Sequence, residues 1–112
     1  MTQTQLKKDN RLKEMVENIA EQIRTGQYET DNQDGPSAMD YLEDILDIQY
    51  IISSDKQYLG ARVLVAFGGP NIWINTQSKT VEGYWWSENC EISYFEDNLG
   101  LDDYLEEIYN CN

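Results

Sequence analysis

Carboxylates dominate the chemistry that this chain of 112 residues can offer: 21 Asp and Glu stand against eight Lys and Arg, there is no His, and the formal charge is -13. The acids are not spread evenly. Between Thr25 and Asp55 lie eight of them and no base: Glu29, Asp31, Asp34, Asp40, Glu43, Asp44, Asp47 and Asp55. After Lys79 there are nine more, again with no base: Glu82, Glu88, Glu91, Glu96, Asp97, Asp102, Asp103, Glu106 and Glu107. Asp40, Glu43, Asp44 and Asp47 fall at i, i+3, i+4 and i+7, so a helix there puts all four on one face. Asp102, Asp103, Glu106 and Glu107 make a second group of the same kind. Carboxylates one helical turn apart lie about 5 to 6 Å from each other, a spacing of the same order as phosphates along a DNA strand. Two such rows could replace the phosphates that a basic nucleic-acid channel normally pairs with. A solvated face that keeps a small protein soluble has the same composition, but ordinary surfaces interleave Lys with Glu and avoid this self-repulsion.

Other chemistry finds little support. A Ser, Cys or Thr nucleophile needs a base beside it, and without His that base would have to be a carboxylate or a Lys with a strongly shifted pKa. Paired carboxylates could hydrolyse glycosides, but in so acidic a chain some pair always lies at a plausible distance, so no such pair is specific. The loop Thr30–Gly35 aligns its glycine with that of a calcium-binding EF-hand, yet the first ligand position is then Thr30 and the twelfth is Tyr41. Gly68-Gly69-Pro70-Asn71 is followed by neither a Lys nor a helix start and reads as a strand connection. Cys90 and Cys111 are too few and too far apart for a disulfide framework or a zinc knuckle, and read as two free buried thiols. The expectation is a protein that is not an enzyme, with no metal, no cofactor and no small-molecule substrate. Its charge also argues against direct contact with nucleic acid or anionic lipid, because such contact needs Lys and Arg to displace counterions. Trp73, Tyr84, Trp85 and Trp86 form an aromatic cluster. Most of it suits core packing, while one or two rings among Trp73, Tyr84 and Trp86 could anchor a partner.

The elements that must position these groups follow from periodicity. Over residues 1–25, Leu12, Met15, Val16, Ile19, Ala20 and Ile23 recur at three- and four-residue steps and predict an amphipathic helix. It holds five of the eight bases, with acids that nearly neutralise them. Residues 26–36 read as a loop. Pro36 and Ser37 then announce a second helix over 37–47, with Ala38, Leu42, Ile45 and Leu46 as its apolar stripe. From 48 to 95 the period changes to two, and strands are expected at Ile48–Ser53, Tyr58–Phe67, Asn71–Thr76 and Thr80–Ser87, with a fifth at Glu91–Phe95. Short connectors make this an antiparallel meander. A third helix at 100–110 turns Leu101, Tyr104, Leu105, Ile108 and Tyr109 inward. The fold class is α+β in one domain, order ααββββα, with three helices packed on a four- to five-stranded antiparallel sheet. The N-terminus lacks the apolar run of a signal peptide, and Val63–Ser78, the longest uncharged stretch, is too short and too broken to span a bilayer, so a cytoplasmic protein of a host cell is expected.

Small size, high acid content with many Tyr, an α+β pattern and no catalytic residues together resemble the small acidic anti-defence proteins of phages and mobile elements, the anti-CRISPR and antirestriction types. Gly68-Gly69-Pro70-Asn71-Ile72-Trp73-Ile74-Asn75-Thr76 with Val81-Glu82-Gly83-Tyr84-Trp85-Trp86 also looks like a block found in proteins of Gram-positive mobile elements. The resemblance implies an inhibitor that mimics DNA and occupies the basic nucleic-acid surface of a defence nuclease, a CRISPR effector or a restriction enzyme. The alternative is a protein–protein adaptor that meets a basic partner through exposed aromatics, its acids serving steering and solubility.

Overall fold

The computed structural model describes residues 3–111, with side chains from Arg11 onward. The chain runs through α1 (Gln3–Thr25), α2 (Ala38–Tyr41), β1 (Asp47–Ile52), β2 (Tyr58–Ala66), β3 (Asn71–Asn75), β4 (Thr80–Trp85), β5 (Glu88–Ser93) and α3 (Leu101–Asn110). All five strands pair with their sequence neighbours, antiparallel, in the order β1-β2-β3-β4-β5. The expected α+β class and meander are present, and the fifth strand starts three residues earlier than its sequence suggests.

Each strand alternates, and its two sides meet different environments. Ala61, Val63, Ile72, Ile74 and Val81 form one side, all fully buried. α1 lays Leu12, Val16, Ala20 and Ile23 over β4 and β5, and α3 lays Leu101 and Leu105 over β2. Gly83 sets how closely α1 can approach: a Cβ there would stand 2.5 Å from Val16 Cγ2 and 2.9 Å from Leu12 Cδ1. The other side carries Arg62 opposite Asn75, Trp73 opposite Glu82, and Glu82 opposite Glu91. No described helix covers that side.

The second helix departs from expectation. Ser37 caps it, accepting a hydrogen bond from the Asp40 amide at 3.1 Å, but the helix closes after one turn at Tyr41 rather than running to residue 47. Residues 42–45 continue as turns, and the Leu46 amide then donates to the Leu64 carbonyl of β2 at 2.9 Å. Two physical terms favour this outcome. A longer helix would stack four carboxylates with no base on its surface, whereas the β-branched and aromatic run from Ile48 onward gains a full antiparallel ladder with β2. Leu46, assigned by periodicity to the buried stripe, is 58% exposed.

α3 forms where its pattern places it, and its start is held by a residue outside it. Asp97 accepts hydrogen bonds from the amides of Gly100, Leu101 and Asp102 at 2.8, 3.0 and 3.0 Å. These are helix-start donors that would otherwise lack partners. Gly100 takes φ 77°, which glycine adopts without strain.

Candidate functional site

The eight acids expected to act as two rows are separated by the fold into engaged and free groups. Asp40 is engaged: its carboxylate accepts from the Tyr28 hydroxyl at 2.5 Å, the Thr30 hydroxyl at 2.6 Å and the Asn32 side-chain amide at 3.4 Å. These donors, Thr30 first and Tyr28 next, hold its pKa below the usual carboxylate range. The Tyr28 phenol is shifted up, by burial first and by its bond to Asp40. Asp40 therefore fastens the loop of residues 26–36 to α2, with the Tyr28 ring edge-on to Tyr41 at 4.8 Å and the Tyr41 hydroxyl bonded to Gln22. Asp47 does not share a face with it. It opens β1, where its carboxylate accepts from the Ile48 amide at 2.9 Å. Glu43 and Asp44 are exposed on the turns between.

On α3 the row is real. Asp102 is half-buried and accepts from the Tyr58 hydroxyl at 2.8 Å, while Asp103, Glu106 and Glu107 are exposed. Carboxylate oxygens of Asp102, Asp103 and Glu106 lie within 4.8 Å of one another, which concentrates negative potential on the first turns of the helix. The two acidic stretches of sequence also meet. α2 packs against α3, and Asp34, Asp40, Leu42, Glu43 and Tyr104 border one cavity of about 560 Å³. A second, open cavity of about 620 Å³ beside it is lined by Glu29, Asp31, Asp40, Glu43 and Asp44 with Tyr28 and Tyr41. The ion pairs among the described residues lie elsewhere: Lys13–Glu17 and Arg24–Glu21 on α1, and Arg62–Glu82 on the sheet.

The aromatic candidates also separate. Trp73 is half-buried beneath the Arg62 guanidinium, 4.2 Å from its ring centre, and supports that side chain. Tyr84 is 41% exposed and donates its hydroxyl to Glu82 at 3.1 Å. Trp86 is 80% exposed on the two-residue turn between β4 and β5, in the left-handed region at φ 57°. Phe67, 73% exposed, stands on the β2–β3 connection at the same end of the sheet. Trp85 turns inward and lies 5.3 Å from the Arg11 guanidinium.

Sequence reasoning passes over the centre of the uncovered sheet face. Arg62 and Glu82 are joined at 2.9 Å, with Tyr84 and Asn75 completing the carboxylate's partners and Glu82 only 8% exposed. The signal lies in the alternation, since Arg62 sits between Ala61 and Val63 and must point away from them. The thiols also differ from expectation. Cys111 is exposed, and only Cys90 is partly buried, its pKa pushed up by that burial.

With fold and site in view, no protein-family model, curated protein or solved structure matches the chain. No described helix is long and apolar enough to cross a membrane.

Proposed function

We propose that this chain is a non-enzymatic acidic binding protein that occupies the basic, nucleic-acid-binding surface of another protein, the role of an anti-defence inhibitor that mimics DNA. The observation that carries this reading is the meeting of the two base-free stretches of sequence. α2 packs against α3, where Tyr104 borders a cavity with Asp34, Asp40 and Glu43, so the exposed carboxylates of the two segments belong to neighbouring parts of the surface and their potentials add. The phosphate surrogates are then narrower than the sequence suggests: Glu43, Asp44, Asp103, Glu106 and Glu107 are open to a partner, while Asp40 and Asp102 are committed to internal hydrogen bonds. A restriction enzyme or an RNA-guided nuclease has the kind of basic channel such a surface fits. The test is competition. The protein should displace DNA from such a nuclease, less so as salt rises, and reversing Asp103, Glu106 and Glu107 to Lys should remove the effect. Unchanged displacement by that variant would refute the reading.

One observation favours a second reading. Trp86 exposes most of a large ring on a hairpin tip, tilted beside Trp85, with Tyr84 and Phe67 at the same end of the sheet. Trp and Tyr so placed are typical anchors of protein interfaces, and an adaptor would use them with the acids only steering encounter. Trp86→Ala should then abolish partner capture while charge reversal on α3 changes mainly the association rate.

A further inference from the structure

The two outer strands of the sheet differ in how their free edges are guarded. β5 carries Glu88 and Glu91, and α1 lies beside it, where Leu12 and Lys13 share a recess of about 430 Å³ with Glu88, Asn89 and Cys90. β1, Asp-Ile-Gln-Tyr-Ile-Ile, is guarded at its first step alone, by the charge of Asp47. It has no Pro and no Lys, and its one irregularity falls at its last step, between Ile51 and Ile52. Its edge is open among the described residues: no backbone hydrogen bond runs from β1 to any segment except β2. The Ile48 amide shows the direction. It bonds to the Asp47 side chain instead of to β2, so it faces outward, and alternation along the strand gives Tyr50 the same outward side.

α3 lies next to this edge. The Tyr109 ring is 5.1 Å from Tyr50 of β1 and 5.9 Å from Tyr58 of β2, and its hydroxyl donates to the Lys56 carbonyl at 2.9 Å. The Tyr58 hydroxyl in turn holds Asp102. The side of α3 that carries Asp102, Glu106 and Tyr109 at helical spacing therefore lies over Tyr58 of β2 and reaches Tyr50 of β1 through Tyr109. An open strand edge alongside a helix is the geometry in which an extended peptide adds as a further strand, its backbone supplying affinity and its alternate side chains specificity. Charge selects the occupant. A second copy would bring another -13 against the same acids, whereas an extended segment rich in Lys or Arg neutralises them.

We propose that the free edge of β1 accepts an extended basic segment of a partner protein as an additional strand, with Lys or Arg at alternate positions turned toward the side of α3 that carries Glu106. The proposal rests on the reading that the partner is basic, and adds a backbone-pairing site to it.

The test is a titration of the full chain, followed by amide NMR shifts, with a capped peptide of about eight residues, the upper range of common strand lengths, that alternates Lys and Val. Shifts should concentrate on residues 47–52 and on α3. Binding should weaken about tenfold in Gln49→Lys and in Glu106→Lys, both exposed positions, and by a similar factor when alternate peptide amides are N-methylated. N-methylation keeps every charge and removes the donors. Equal binding of the methylated peptide, shifts spread over all acidic surfaces, or no binding at all overturns the edge pairing. Self-association of the free chain that Gln49→Lys abolishes would overturn it in favour of a second copy. These outcomes are separate from displacement of DNA from a nuclease, so the edge pairing and the basic-partner reading can fail independently.

Discussion

Residues 37–47 and 101–110 look alike as sequence, each an acidic segment with apolar residues at helical spacing, yet one folds as a single turn and the other as a complete helix. The difference lies in what each segment has to pack against. α3 buries Leu101 and Leu105 completely beneath the sheet and has Asp97 to satisfy its first amides. The α2 segment buries Ala38 and Leu42, but at its far end it runs into residues that gain more by pairing with β2. Hydrophobic periodicity is therefore a necessary condition for a helix and not a sufficient one. A competing strand partner decides the matter, because a short helix has too little burial to offset its ordering cost.

The largest way to break this contrast is in the core beneath α3. Leu105→Ala should cost about 3 kcal/mol, within the range for a fully buried leucine, and urea unfolding would measure it. A loss no larger than that of a surface change would mean that Leu105 does not anchor α3 to the sheet. Next, Asp97→Ala leaves three helix-start amides without their acceptor and should cost about 1 to 2 kcal/mol, the upper part of the capping range, with a matching fall in helicity by circular dichroism. Replacing Tyr94 with Phe should have a smaller effect of opposite sign. Its hydroxyl is buried without a hydrogen-bond partner among the described residues, and removing it should raise stability by about 1 kcal/mol or less.

The α2 side gives a different signature, in pH. Because the carboxyl of Asp40 has its pKa lowered in the folded state, by Thr30 and then Tyr28, the unfolded chain takes up this proton first as pH falls. Its contribution to stability is complete above the ordinary carboxylate pKa and disappears as pH drops through the lowered value. Asp40→Asn should flatten that part of an acid-denaturation curve, and a curve superimposable on the parent would contradict the network. The smallest effect is at the end of α3. Glu107→Lys places a cation at the negative end of the helix dipole and should stabilise the fold by about 0.5 kcal/mol, while weakening capture of a basic partner. Those two changes in opposite directions would distinguish a binding residue from a structural one.

Much of the fold is legible in the sequence. Strand positions follow from β-branched and aromatic runs divided by Gly, Ser and Lys breakers, and α3 begins and ends where its stripe does. The start of the fifth strand is not legible, because Trp86, a residue that rarely adopts φ above zero, serves in the tight turn where Gly or Asn would have signalled it. The acidic site is legible as a charge asymmetry but not as a set of available groups. Asp40 is consumed by Thr30 and Tyr28, ten and twelve residues away, and Asp102 by Tyr58, forty-four residues away.

Sequence alone determined the local terms: the charge imbalance and its two base-free stretches, the period of each strand, and the apolar stripes of α1 and α3. These depend on neighbours within a few residues, where spacing and geometry are the same thing. Tertiary structure alone decided which acids are held by hydrogen bonds, that Trp73 lies under Arg62 while Trp86 is largely exposed beside Trp85, that α2 gives way to β1, and that α2 packs against α3. Those outcomes turn on which distant groups come within hydrogen-bond or packing distance, and that is settled by the register of the sheet and the seating of the helices upon it.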